Sequence, residues 1–305
     1  MYEQIAANKR KTILLVLGAG VLRGVVGYAI AYIFQYSGWV GLVIAVGIAA
    51  LLAFGSYRSG DKIVLASTHA RPVTPDQEAR LHNVVEGIAI AAGVPKPAVY
   101  VIPEQAPNAF ATGRDPEHSS IAVTQGLLDM MDRVELEGVV GHEMAHVQDR
   151  DILLGTIVAT LVGAVVLVSE FFLRFWWIGG AGGRRSNSGG GDAGIVGLVF
   201  LVIGIVLIVL APIAGQIIKL SVSRNREYLA DAQGAMLTRY PPGLASALKK
   251  IAATPTAMRS ANNATAHLWI SQPSRLHGTD RQGRLERLFN THPPIQERIK
   301  RLEEM

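Results

Sequence analysis

The stretch His142-Glu143-Met144-Ala145-His146 decides how this chain is read. Histidines four residues apart on a helix share one face, about 40° apart around the axis. Both imidazoles then reach one tetrahedral Zn²⁺ at roughly 2.0–2.1 Å. Glu143 falls beside that face, where a carboxylate can take a proton from an attacking water. The plain alternative is a solvated amphipathic helix that happens to carry two histidines. The residues upstream specify a helix of their own. Asp132 followed by Glu135 is a capping-box pattern. Val134, Leu136, Val139 and Val140 supply an apolar face, and Gly138, Gly141 and Ala145 leave room for close packing on the metal side.

Just past this motif the chain turns strongly apolar. Of its 305 residues 50% are hydrophobic and 17% charged, and the mean hydropathy is +0.29, which is unusual for a soluble enzyme. An apolar run of about 18 residues or more reads as a membrane-spanning helix. Four candidates stand at 12–34, 39–54, 152–178 and 195–218, the second of them short. The first run is too long for a cleavable signal and lacks a small-residue cleavage site, so it reads as an anchor. With no cysteine, disulfides, thiolate nucleophiles and Cys-ligated metal are excluded, and His and carboxylate must do the metal work.

Lys9, Arg10 and Lys11 precede the first run and argue for a cytoplasmic N-terminus. Counting spans puts 58–151 and 219–305 on that same side. Arg184 and Arg185 in the Gly/Ser-rich loop 179–194 oppose this weakly. Arg23 lies inside the first run, where a charge costs roughly 2.5–3.5 kcal/mol. It reads either as facing a helix bundle or as snorkelling to the interface.

Between the hairpins the pattern is mixed α/β. Lys62–Ala66 reads as a strand, and a helix opens at Pro75-Asp76 and closes at Gly93. Ala98–Ile102, Asn108–Gly113 and Ile121–Val123 read as further strands of a small antiparallel sheet. The edge of such a sheet can pair with an extended peptide without reading its sequence. The expected fold is therefore an α+β zincin-like metalloprotease domain with a small antiparallel sheet, combined with four transmembrane helices. Its parts are an N-terminal hairpin (1–57), the protease domain (58–151 and 219–305) and a second hairpin (152–218).

After the last apolar run comes Arg226-Glu227-Tyr228-Leu229-Ala230-Asp231. A catalytic zinc takes three protein ligands and keeps one position open. Glu227 supplies the third, and Asp231, on the same face at i+4, accepts a hydrogen bond from a ligand histidine. An ordinary solvated face pairing Arg224 or Arg226 with nearby acids is the alternative. Topology favours the site, because the two ends of a membrane hairpin must emerge side by side. Further on, 254–290 reads as a long loop or a flap over the site. Thr291-His292-Pro293-Pro294 precedes an amphipathic helix with Ile295, Ile299 and Leu302, and His292 on spacing alone is a surface residue.

Taken together, Tyr2-Glu3-Gln4-Ile5, Pro107-Asn108-Ala109-Phe110-Ala111-Thr112-Gly113, Gly141 to His146, Arg226 to Asp231, and Thr291 to Pro294 with Arg298 resemble the HtpX family of membrane-bound zinc metalloproteases, relatives of the CAAX prenyl proteases. The resemblance implies that His142, His146 and Glu227 bind one Zn²⁺ per chain and that Glu143 is the base. It puts Asn108 in the strand beside the substrate and His292 and Arg298 near the site. It also implies a multi-pass protein of the bacterial inner membrane, its catalytic domain facing the cytoplasm, that cuts unfolded or damaged membrane proteins without ATP. The chain has no G-x-x-x-x-G-K-[ST] loop, and neither nucleotide nor nucleic acid is expected as a partner. Two readings compete: an intramembrane zinc protease, against which Asp149, Arg150 and Asp151 separate the motif from the apolar run, and a catalytically silent membrane scaffold, against which Glu143 and Glu227 are intact.

Overall fold

The structure is a computed structural model, and it describes residues 10, 13–14, 17–18, 38–163, 224–254, 256, 258, 265–271 and 293–305. Residues 10, 13–14 and 17–18 are helical, and beyond them come α1 (Gly38–Ser67), α2 (Ala79–Ala92), α3 (Gln125–Met130), α4 (Arg133–Gln148), α5 (described over 151–163), α6 (Arg224–Thr238), α7 (Pro241–Ala253) and α8 (Ile295–Glu303). The strands are β1 (Arg71–Pro72), β2 (Ala98–Ile102), β3 (Ala109–Gly113) and β4 (Ser119–Thr124).

The sheet is mixed rather than antiparallel. Its order is β1-β2-β4-β3, with β2 and β4 parallel and the other two pairs antiparallel. The β3–β4 hairpin turns back through Pro116–His118 and inserts β4 between β3 and β2. Short apolar strands carry no signal for that insertion. Alternate residues then serve two cores. Ala109, Ala111, Ile121 and Val123 face α2 and α4, while Phe110 and Ala122 face the end of α1 and Trp269. Fully burying Ile121, Val123 or Phe110 contributes about 1.5–3 kcal/mol each.

Lys62–Ala66 is helical, not a strand. It completes α1, with Val64 and Leu65 buried against the sheet. Its short β-branched run fits either state, and the helix continues through it until Thr68 Oγ1 donates to the carbonyls of Val64 and Leu65. Pro75-Asp76 belongs to a turn before α2, because Glu78 stands outside helical geometry at φ −135°, ψ 63°. The helix does close at Gly93, which takes φ 66° and caps Ala89 and Ile90.

Among the described residues no helix is long and apolar enough to cross a membrane. The apolar run 39–54 forms the first half of α1. Arg23, the runs 12–34 and 195–218, the loop 179–194, most of 152–178, much of 254–290 and His292 fall mainly or wholly outside the described residues.

Candidate metal centre

The capping box of α4 forms as its sequence dictates. Asp132 Oδ1 accepts from Glu135 N, and Glu135 Oε2 accepts from Asp132 N, both at 2.9 Å. Glu135 is buried and also receives Lys250 Nζ at 2.6 Å and Ser246 Oγ at 2.7 Å, so the same residue starts α4 and ties it to α7. Burial raises its pKa, but Lys250 and Ser246 outweigh that and hold the carboxyl below its ordinary range.

Close helix packing then brings the two motifs together. Gly141 on α4 lies against Gly234 on α6, where a Cβ added at Gly234 would come within 2.8 Å of the His142 backbone nitrogen. Gly234→Ala is therefore expected to force α4 and α6 apart. The cost is about 1–3 kcal/mol, read as a lower melting temperature in detergent, together with reduced metal affinity. Unchanged values of both would show that this contact does not set the site.

Three donors converge between these helices. His146 Nε2 lies 3.3 Å from His142 Nε2 and 3.6 Å from Glu227 Oε1, and His142 Nε2 lies 3.9 Å from Glu227 Oε2. Ligands about 2.1 Å from a tetrahedral ion are about 3.4 Å apart, so two imidazoles and a carboxylate at these separations fit one metal ion. Beside them Glu143 is 1% exposed. Its Oε1 has no hydrogen-bond partner among the described residues, and the Ala111 backbone N–H bonds to the carboxylate. Burial, reinforced by Glu227 and opposed by His146, pushes the Glu143 carboxyl up to about 7.

The two histidines are held differently. His142 Nδ1 lies 3.0 Å from Asp231 Oδ1. Arg298, itself fully enclosed, donates to the same carboxylate through Nη2 at 2.7 Å and Nε at 2.9 Å. Burial, with Arg298 nearby, pushes His142 down to about 4, so it is neutral. Its Nδ1–H then donates to Asp231, and the lone pair of Nε2 faces the other two donors. Burial raises the Asp231 carboxyl, but Arg298 and His142 outweigh it and hold it at about 2. His146 has Asp151 at 3.1 Å, and although burial opposes it, Asp151 and Glu227 push its pKa up to about 9.

His142, Glu143, His146, Glu227, Asp231 and Arg298 thus meet in one place. Asn108 stands apart from the donors. Its Nδ2 donates to Ser271 O at 2.8 Å, and its Oδ1 accepts from Ser271 N at 3.2 Å and Ala109 N at 3.1 Å. The segment 265–271 closes one wall of the cleft, with Trp269 edge-on to Phe110 at 4.8 Å between ring centroids. Ile270 N donates to Ala109 O at 2.9 Å, and Thr156 Oγ1 bonds both polar groups of Gly113. The outer edge of β3, expected to be open to a peptide, is therefore engaged at both ends. This wall belongs to the stretch 254–290, which reads from sequence as a long loop or a flap over the site, whereas the sequence reading does not include Asp151 and Arg226 in the site.

The family model for peptidase family M48 matches residues 75–305. The chain belongs to peptidase family M48. It is a metalloprotease, and the resemblance to HtpX holds along the full chain. "Protease HtpX homolog" of Caldanaerobacter subterraneus subsp. tengcongensis is 47% identical over all of this chain and 98% of that protein. The protein of the same description from Lactobacillus acidophilus is 43% identical over 100% of both. Among solved structures, the crystal structure of S. mikatae Ste24p aligns with 99% of this chain and 67% of its own at 19% identity and TM-score 0.48, too loose a likeness to bear on fold or function. The silent-scaffold and intramembrane alternatives are not favoured by M48 membership and the HtpX relatives.

Proposed function

We propose that this M48 peptidase is a membrane-anchored, zinc-dependent endopeptidase that cuts misfolded or damaged membrane proteins without ATP. The observation that carries this reading is the convergence of His142 and His146 from α4 with Glu227 from α6, beside the unpartnered Oε1 of Glu143. These three residues would hold one Zn²⁺ per chain. When bound, zinc supplies Lewis acidity toward water and the scissile carbonyl.

Glu143 takes the proton of the attacking water and delivers it to the leaving amine, a task suited to a carboxyl whose pKa lies near 7. Asp231 fixes the tautomer of His142. Arg298 is committed to Asp231 and to Ile270 O, 2.6 Å from Nη1, which makes it a positioning residue. Asn108 acts in the same way, by setting Ser271 against β3. His292 is carried as a residue near the site on the strength of the HtpX motif alone.

The membrane part of the proposal rests on hydropathy and charge. Spans at 12–34, 39–54, 152–178 and 195–218 leave 58–151 and 219–305 together on the cytoplasmic side of a bacterial inner membrane. The meeting of Asp151 with Arg226 across the connecting segment supports a hairpin that leaves and returns at one point. The lipid bilayer and unfolded protein segments are the partners, with no nucleotide or nucleic acid.

Metal removal tests the chemistry. The full chain purified in detergent is expected to lose cleavage of an unfolded protein when treated with 1,10-phenanthroline and to regain it with added zinc. Cleavage that survives complete metal removal would overturn the reading. A reporter fused within 179–194 is expected on the outer side of the membrane, and a cytoplasmic signal would reverse the orientation.

A further inference from the structure

His146 has a carboxylate of its own, reached by an unusual path. On an unbroken helix, a residue five positions on lies about 140° around the axis, facing away. Here α4 ends at Gln148 with Asp149 as its cap, Arg150 takes φ 59°, and α5 begins at 151. A side chain other than glycine costs about 1–3 kcal/mol in that left-handed region. The kink swings Asp151 back, so that its Oδ2 lies 3.1 Å from His146 Nδ1.

The other oxygen of Asp151 reaches across to α6. Its Oδ1 accepts from Arg226 Nη1 at 2.9 Å, and Arg226 directly precedes Glu227. Both side chains are only 12% exposed, so water and salt screen the pair little. One carboxylate therefore joins the helix bearing both histidines to the helix bearing Glu227. On the opposite side of the site, Asp231 and Arg298 make a matching connection to His142.

We propose that Asp151 is a positioning residue: it holds the Nδ1 side of His146 so that Nε2 faces the metal, and Arg226 anchors it to the helix of Glu227. The strained turn at Arg150 is the device that places it. This inference rests on the metalloprotease reading above, because it concerns how His146 is presented to the ion.

The test uses the full chain in detergent and zinc alone as the probe, with affinity measured by competition against a chromophoric chelator. Asp151→Ala is expected to weaken zinc binding about 10–100-fold, the usual cost of removing a partner behind a metal-ligating histidine. Asp151→Asn, which keeps the size and an acceptor but not the charge, is expected to lose about tenfold and covers the case in which the alanine variant fails to fold. Arg226→Gln should fall in the same direction, and adding it to Asp151→Ala should cost little more, because Arg226 acts through Asp151. The visible absorption of Co²⁺ in the site should also change in the Asp151 variants.

A purely structural role would lower the melting temperature yet leave zinc affinity and the Co²⁺ spectrum of the folded protein unchanged. That outcome, with affinities within about twofold of wild type, overturns the proposal. A wild-type chain that binds no zinc overturns both this inference and the reading on which it rests.

Discussion

Replacing Glu143 with glutamine is expected to slow cleavage of an unfolded protein by about 10²–10⁴-fold while zinc stays bound. The argument begins with burial. Glu143 is 1% exposed, takes one backbone N–H from Ala111, and leaves Oε1 without a partner among the described residues. A buried polar atom without a partner is costly in a folded protein unless function uses it. Burial has pushed this carboxyl up to about 7, near the pH at which a base must both hold and release a proton. Glutamine has nearly the same volume and can keep the Ala111 contact, so the fold and the three donors survive. It cannot accept the proton. Turnover measured beside metal content separates these effects, and wild-type turnover in Glu143→Gln would remove Glu143 as the base.

Arg298→Ala is expected to destabilise the protein by about 3–5 kcal/mol, the range for removing one partner of a buried ion pair. Arg298 is 1% exposed and binds Asp231 through two nitrogens at 2.7 and 2.9 Å. Its third contact, to Ile270 O, fastens the wall segment that carries Trp269. Without it Asp231 stays buried next to Glu227 as an uncompensated charge. Arg298→Ala combined with Asp231→Asn should therefore recover part of the loss. Arg298→Lys should fall between, since it keeps the charge but not the planar fork. Thermal unfolding in detergent reads all three. An alanine variant that melts with the wild type would show that the pair does not hold the site together.

The site was more legible in the sequence than the fold around it. His142, Glu143 and His146 are spaced by helical geometry, Asp132 and Glu135 announce where that helix starts, and Glu227 and Asp231 share a face for the same reason. Each of these signals lies within one turn or two of a single helix. What escaped depends on contacts between distant segments. The insertion of β4 beside β2 leaves no mark on either strand. Lys62–Ala66 is apolar enough for strand or helix, and only the continuation of α1 decides it. Trp269 gains its place from Phe110, far away in the chain. Asp151 was in plain view five residues past His146, but a regular helix points it away, and only the left-handed turn at Arg150 turns it back.

Metal content of Glu227→Ala tests the central claim most directly, that one ion is held jointly by the helices on either side of the connecting segment. After dialysis against a metal-free buffer, the wild type and Glu143→Gln should each retain one zinc per chain, and Glu227→Ala should retain almost none. A Glu227→Ala protein that keeps its full zinc would place the third ligand elsewhere and contradict the account.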